Sequence, residues 1–212
     1  MQGYATTNFA VAKSKKNARL LIPKLLFAPI ILFALVSRHI YEEGGFWDTT
    51  FAVVAFFFLT VAALGRVWCA AYISGRKNAE LVMDGPYSLS RNPLYLFSLC
   101  GYFGAGLAFE KLTVAFAFVA LFWLLHWPTI LAEEAKLRGK FPQEYDDYAK
   151  AVPRFWPRRG PMNLPQYVTF SPRIFNRAVL HCGFLMLVFM LAQIIEYFQT
   201  VGVIPILFRN VP

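Results

Sequence analysis

The sequence predicts an all-α integral membrane protein with about five transmembrane helices, and three observations predict it. Hydrophobic residues make up 58% of the 212 residues and charged residues only 16%, against about 45–50% and about 25% in soluble domains. Five apolar runs approach or exceed the roughly 20 residues that a bilayer-crossing helix needs. Nearly all of the 21 Lys and Arg residues then fall on one side of the membrane, the side that the positive-inside rule assigns to the cytosol.

The first run, about Leu20–Tyr41, follows a polar and basic stretch. It is long and lacks a small-residue cleavage site, so it is expected to remain as an anchor rather than to be removed as a signal peptide. Pro23 and Pro29 are tolerable there because membrane helices accept proline better than soluble ones. The second run, about Phe46–Ile73, is long enough to tilt. The third, about Leu94–Phe109, is short and glycine-rich, and Gly101 with Ala105 forms a small-xxx-small face for close helix packing. The fourth is about Leu112–Leu131 and the fifth about Ile174–Val203. With the N-terminus in the cytosol, only Arg38, Lys111 and Arg209 lie outside, and the outer turn Tyr41–Asp48 is acidic. Arg66 lies within the second helix and should face the bundle or a wet cavity, since a charge in lipid is costly. One polytopic domain over residues 1–212 is the simplest organisation.

Composition also excludes function classes. The net charge of +9 comes without a basic helix, zinc spacing or RNA-binding signature, so no nucleic-acid partner is expected. Cys69, Cys100 and Cys182 each sit in an apolar run and suggest neither a disulfide framework nor a metal spacing. His39, His126 and His181 are equally scattered, and no metal site is expected.

Two segments do not belong in hydrocarbon: Ser74–Pro93 and Glu133–Pro165. Both lie on the cytosolic side and flank the third and fourth helices, so chemistry is to be sought where they meet. In the first, Gly85-Pro86 and Asn92-Pro93 are turn-forming pairs that bend the chain twice. Asn92 precedes a proline and is pushed out of helical conformation, while Pro93 fits the first turn of a helix. Arg91, with Tyr87 and Tyr95 close by, then stands at a helix mouth. It suits a carboxylate or phosphate ligand, or equally an anchor at lipid headgroups. In the second, Trp123, Trp127 and Glu134 fall within about 40° of one another on a helix, whereas Glu133 lies about 100° from Glu134. The acidic pair is either a binding feature or a solvated helix end paired with Lys136, Arg138 or Lys140. Phe141, Tyr145 and Tyr148 recur at helical spacing. They give a short amphipathic helix that either anchors at the interface or walls a pocket open to cytosol and lipid.

Together these elements resemble the isoprenylcysteine carboxyl methyltransferase family and its phospholipid N-methyltransferase relatives. The likeness runs from about Leu64 to Pro157. It reads Arg66-Val67-Trp68, then Leu81-Val82-x-x-Gly85-Pro86-Tyr87-x-x-x-Arg91-Asn92-Pro93-x-Tyr95. After two apolar helices follow Glu133-Glu134-x-x-Leu137-x-x-x-Phe141-x-x-x-Tyr145-x-x-Tyr148 and Val152-Pro153-x-x-x-Pro157. The eukaryotic enzymes usually carry Arg-His-Pro where this chain has Arg91-Asn92-Pro93, and a His where it has Ala79 or Glu80. The Asn form looks like a bacterial branch, which implies the bacterial inner membrane. The helix at about 174–203 lies outside the likeness.

The resemblance implies a cytosolic cofactor-binding segment for S-adenosylmethionine and methyl transfer to a lipophilic acceptor, such as an isoprenylcysteine carboxylate or a phospholipid. It implies Arg91 for the cofactor's carboxylate and Glu133 or Glu134 for its ammonium or ribose. Asn92 and Pro93 would shape that mouth, and Tyr87, Tyr95, Trp127, Tyr145 and Tyr148 would line adenine and sulfonium. Arg154 would orient an acidic acceptor, which makes Arg91, Glu134 and Arg154 the catalytic candidates. Displacement from a sulfonium needs no leaving-group protonation, so positioning and desolvation can supply most of the catalysis. Two other readings stand beside this one: an NADPH-dependent relative of the sterol reductases, and a non-catalytic membrane assembly protein.

Overall fold

A computed structural model of the chain describes residues 23, 25–42, 44–76 and 79–212. The basic N-terminal stretch and the start of the first apolar run therefore lie outside the described residues. Helix α1, Leu25–Val36, covers the middle of that run. Helices α2, Phe46–Ile73, α4, Leu112–Lys140, and α6, Pro172–Thr200, are each long and apolar enough to cross a membrane. At 1.5 Å per residue the 28 residues of α2 reach about 42 Å. Helix α3, Pro93–Leu107, has 15 residues, and α5, Pro142–Ala151, is a short polar helix. The chain is thus a mostly helical membrane protein, and among the described residues three helices long enough to span and two shorter apolar helices lie on the five predicted runs.

The predicted limits hold best where hydropathy changes sharply. Helix α2 coincides with its predicted run, and α6 is shifted by a few residues. Helix α4 runs on to Lys140, well past the apolar segment, so Glu133 and Glu134 stay helical. Helix α1 stops at Val36, earlier than Tyr41, because the chain turns into a strand. That strand, β1, Ser37–His39, pairs in parallel with β2, Phe208–Val211. Gln199 on α6 caps the α1 end by donating to the Ala34, Leu35 and Ser37 carbonyls at 3.2, 2.6 and 3.3 Å. These include orphan carbonyls that a helix C-terminus leaves unpaired.

Small residues set the bundle's closest approach. A Cβ on Gly104 would stand 3.0 Å from the backbone of Ala55 and Leu59, and one on Gly101 would meet Ala62 at 3.3 Å. Helices α2 and α3 therefore touch backbone to backbone, the packing that lipid-embedded helices rely on in the absence of a hydrophobic drive. Gly101 takes part as predicted, and Gly104 carries the tighter contact. Ala34, Leu59, Ala105, Val114 and Phe118 from α1 to α4 form one buried cluster beside this contact. Arg66 faces the bundle, as its cost in lipid requires, and donates to Ser98 on α3. Helix α6 packs on α2, where the Cys182 thiol donates to the Ala63 carbonyl at 3.1 Å. Its other side leaves Leu180, Phe184 and Met190 exposed, as a lipid-facing helix does. All three cysteines are free thiols.

The helices run back and forth, so the molecule has two ends. One gathers the end of α2, the 81–92 loop, the start of α3, the end of α4 and α5. The other gathers β1, β2, the start of α2 and the α3–α4 turn.

Candidate functional site

The first end brings together most of the residues that the sequence singles out. Gly85–Ser88 form one turn of 3-10 helix. Gly85 has a left-handed φ of +55° and lies against the Tyr72 ring, where a Cβ would collide. Asn92 leaves helical conformation with φ −127° and ψ 52°, and Pro93 opens α3. The exclusion of Asn92 from helix and the place of Pro93 in the first turn are as expected of an Asn-Pro pair, although ψ of Asn92 falls short of the fully extended range.

Segment 152–163 clamps the loop in place. The Arg91 amide donates to the Pro153 carbonyl at 2.9 Å, and the Ser90 hydroxyl to the Phe155 carbonyl at 2.8 Å. Arg158 donates from its guanidinium to Ser88 O and from its amide to Leu89 O, both at 2.9 Å. Asn163 holds Asp84 through its side chain at 2.8 Å and receives the Gly85 amide at 2.7 Å. Ser90, Arg158 and Asn163 escaped the sequence reading. The Pro/Arg-rich composition after Val152 was the only signal that this segment is fitted to the loop.

Glu134 lies at the centre, nearly buried. Its Oε1 accepts from Asn92 Nδ2 at 2.8 Å and stands 3.4 Å from Arg91 Nε. Its Oε2 accepts from Arg154 Nε at 2.9 Å. Asn92 Nδ2 also reaches the Arg154 carbonyl at 3.0 Å. One carboxylate is thus flanked by two guanidinium groups, leaving a positive excess beside the start of α3. The Arg154 guanidinium also lies 5.7 Å over the Trp127 ring, so Trp127 and Glu134 meet one partner, as their shared helical face predicts. Glu133 turns away, as the 100° offset requires, and accepts from the Tyr95 hydroxyl at 3.2 Å.

The aromatic stripe of α5 turns inward, and Tyr148 at its end also borders an open cleft. Tyr145 and Tyr148 are buried with Leu81 and Val152, because the 81–92 loop lies across them. Tyr148 donates to the Tyr87 carbonyl at 2.7 Å, and Tyr87 packs with Cys69 and Val82. Burial raises the Tyr148 and Tyr87 phenols above their ordinary range. Tyr145 nevertheless borders the ionic cluster, with the Arg91 guanidinium 5.8 Å over its ring. Burial pushes its phenol up to about 12, with Glu134 adding to the rise and Arg91 opposing it. Its buried hydroxyl has no hydrogen-bond partner among the described residues. Beyond Tyr148 lies an open cleft of about 410 Å³, lined by Met83, Ser88, Glu144, Asp147, Val152, Arg158 and Asn163 among others. That volume lies within the usual range of small-molecule sites. Tyr148 lines both the cleft and the core beneath the cluster.

The phospholipid methyltransferase family matches residues 49–144. Among characterised proteins the chain is similar to the nickel-cobalt-cadmium resistance protein NccN of Alcaligenes xylosoxydans xylosoxydans, 40% identical over 129 residues, 61% of this chain and 60% of that protein. It is also similar to the cobalt-zinc-cadmium resistance protein CzcN of Cupriavidus metallidurans, 38% identical over 128 residues, 60% of this chain and 59% of that protein. The likeness therefore spans about three fifths of each relative. No solved structure matches the chain. The match over residues 49–144, from the second helix to the start of α5, agrees with the likeness that the loop and the acidic pair carry.

Proposed function

We propose that the chain catalyses S-adenosylmethionine-dependent methyl transfer to a lipophilic acceptor at the end of the bundle that carries Glu134, with that end in the cytosol. The observation that supports this best is one buried carboxylate held between Arg91 and Arg154, within a phospholipid methyltransferase segment. The residues present suit the cofactor. The positive excess suits its carboxylate, Glu133 its ammonium or ribose, and the unpartnered Tyr145 hydroxyl one further polar group. When bound, the cofactor supplies an electrophilic methyl group on a sulfonium.

The chain's own part is to bind, orient and exclude water. Arg91, beside the positive end of the α3 dipole, holds an anion. Glu134 fixes both guanidinium groups, so their order costs little when a ligand arrives. Arg154, half-exposed over Trp127, orients an acidic or phosphate-bearing acceptor. Exposed Met83, Trp156, Leu164 and Phe170 give a lipophilic acceptor an apolar approach from the bilayer. An amine acceptor would arrive neutral and pass its proton to water or Glu133.

The chain would work as one polytopic domain, with the core at about 64–157 and α6 as an additional span, in a bacterial inner membrane. A second reading rests on the names of the two relatives: a non-catalytic membrane component of metal resistance. Transfer of labelled methyl from S-adenosylmethionine into extracted membrane lipids and prenyl-thiols, by detergent-purified chain, separates the two. Labelled lipid product that is lost with Arg154→Ala supports the enzyme. A folded chain that labels none of these acceptors and binds no methyl donor supports the second reading.

A further inference from the structure

We propose that the opposite end of the bundle holds a binding site for one divalent transition cation, built by His39, Asp48, Glu110 and Glu196. These residues come from β1, the first turn of α2, the α3–α4 turn and the last part of α6. One donor atom from each falls within 4.8 Å of all the others. His39 Nε2 lies 3.7 Å from Asp48 Oδ1, 3.5 Å from Glu110 Oε2 and 3.9 Å from Glu196 Oε1. These separations exceed a hydrogen bond of about 2.7–3.2 Å. They match two ligands of one ion: nitrogen and oxygen donors at about 2.1 Å from a tetrahedral centre stand about 3.4 Å apart.

The second observation is independent of that spacing. The Glu110 side chain is 2% exposed, and its Oε2, aimed at the cluster, has no hydrogen-bond partner among the described residues. A buried carboxylate oxygen without a donor calls for a cation or a proton. The adjacent Lys111 donates its ammonium to the Ala34 carbonyl at 3.3 Å.

The surrounding contacts orient the donors as a metal's outer shell does. The Gly44 amide holds Asp48 Oδ2 at 2.9 Å, leaving Oδ1 toward His39. Gln193 holds Glu196 Oε2 at 3.2 Å, leaving Oε1 toward His39. The His39 ring stacks on Tyr41. One imidazole with three carboxylates suits Zn²⁺, Co²⁺ or Ni²⁺ better than Mg²⁺ or Ca²⁺, which prefer oxygen alone. Along α4 from Leu112 to Glu134, 22 residues at 1.5 Å put this site about 33 Å from the Glu134 cluster. The ion would tie β1, α2, the α3–α4 turn and α6 together. The site stands apart from the methyl-transfer reading and does not rest on it.

The test is a Co²⁺ titration of the full, detergent-purified chain without a histidine tag, followed by visible d–d absorption and by Zn²⁺ displacement. One Co²⁺ per chain is expected, displaced by Zn²⁺ but not by a thousandfold excess of Mg²⁺. Affinity should fall at least a hundredfold with Glu110→Gln and with His39→Ala, and stay within threefold with Glu134→Gln. If Glu110→Gln does not fold, Asp48→Asn, whose side chain is 14% exposed, takes its place with the same expectation. Absence of stoichiometric Co²⁺ binding overturns the proposal, since Glu110 would then hold a proton instead. Binding that these variants leave unchanged overturns it as well.

Discussion

Replacing Glu134 by Ala removes the one acceptor shared by Asn92, Arg91 and Arg154, and the structure sets the scale of the loss. Asn92 keeps a second acceptor in the Arg154 carbonyl, so its share is small. The Arg154 side chain is 41% exposed and can turn to water, so its pair contributes on the order of a surface bridge, about 0–1 kcal/mol. Arg91 is 11% exposed and would be left as an uncompensated, nearly buried cation, the costly case. About 2–3 kcal/mol of stability should be lost, with Arg91 responsible for most of it. Glu134→Gln can still accept from Asn92 and should lose about 1–2 kcal/mol. Denaturant unfolding in detergent measures both, and calorimetry on the same samples should show methyl-donor affinity at least tenfold weaker in Glu134→Ala. A loss under about 0.5 kcal/mol together with unchanged cofactor affinity would refute the view that Glu134 organises this site.

Three further outcomes follow from other contacts. Tyr145→Phe removes a buried hydroxyl that has no partner among the described residues, so unfolding should be neutral or slightly favourable to the variant, while methyl-donor affinity falls if that hydroxyl meets the ligand. The Tyr145 phenol is raised to about 12 in the folded chain from about 10 unfolded. Its neutral form therefore stabilises the fold fully below pH about 10, and that stability is lost as pH rises from about 10 through 12; unfolding against pH should show this loss reduced in Tyr145→Phe. Gly104→Ala puts a Cβ 3.0 Å from the backbone of Ala55 and Leu59 and should lower stability by about 1–3 kcal/mol, measured by thermal unfolding. Arg158→Ala cuts the guanidinium contact to Ser88 and should loosen the 84–92 loop, seen as faster amide exchange there with α3 unchanged.

How much of this the sequence discloses depends on how local the cause is. The turn at Asn92-Pro93 is dictated by two adjacent residues, and the structure has it. The divergence of Glu133 and Glu134 follows from helical geometry alone, and their separate partners, Tyr95 and Asn92, bear it out. The runs behind α2, α4 and α6 are unmistakable because lipid demands long apolar helices. The inward turn of Tyr145 and Tyr148 was not legible, because periodicity marks a stripe without saying what covers it. The pairing of β1 with β2 joins Ser37 to Phe208, and two such short segments carry no pairing signal. The convergence of His39, Asp48, Glu110 and Glu196 was equally hidden. Metal spacing is sought within tens of residues, whereas these four meet only once β1, α2, the α3–α4 turn and α6 have packed.

The most direct test of the methyl-transfer account is calorimetric titration of S-adenosylmethionine into the full chain in detergent, with NADPH titrated in parallel. The account predicts saturable binding of one methyl donor per chain, weakened at least tenfold in Glu134→Ala, and no binding of NADPH. A folded chain that binds no methyl donor, or binds NADPH in its place, would contradict it.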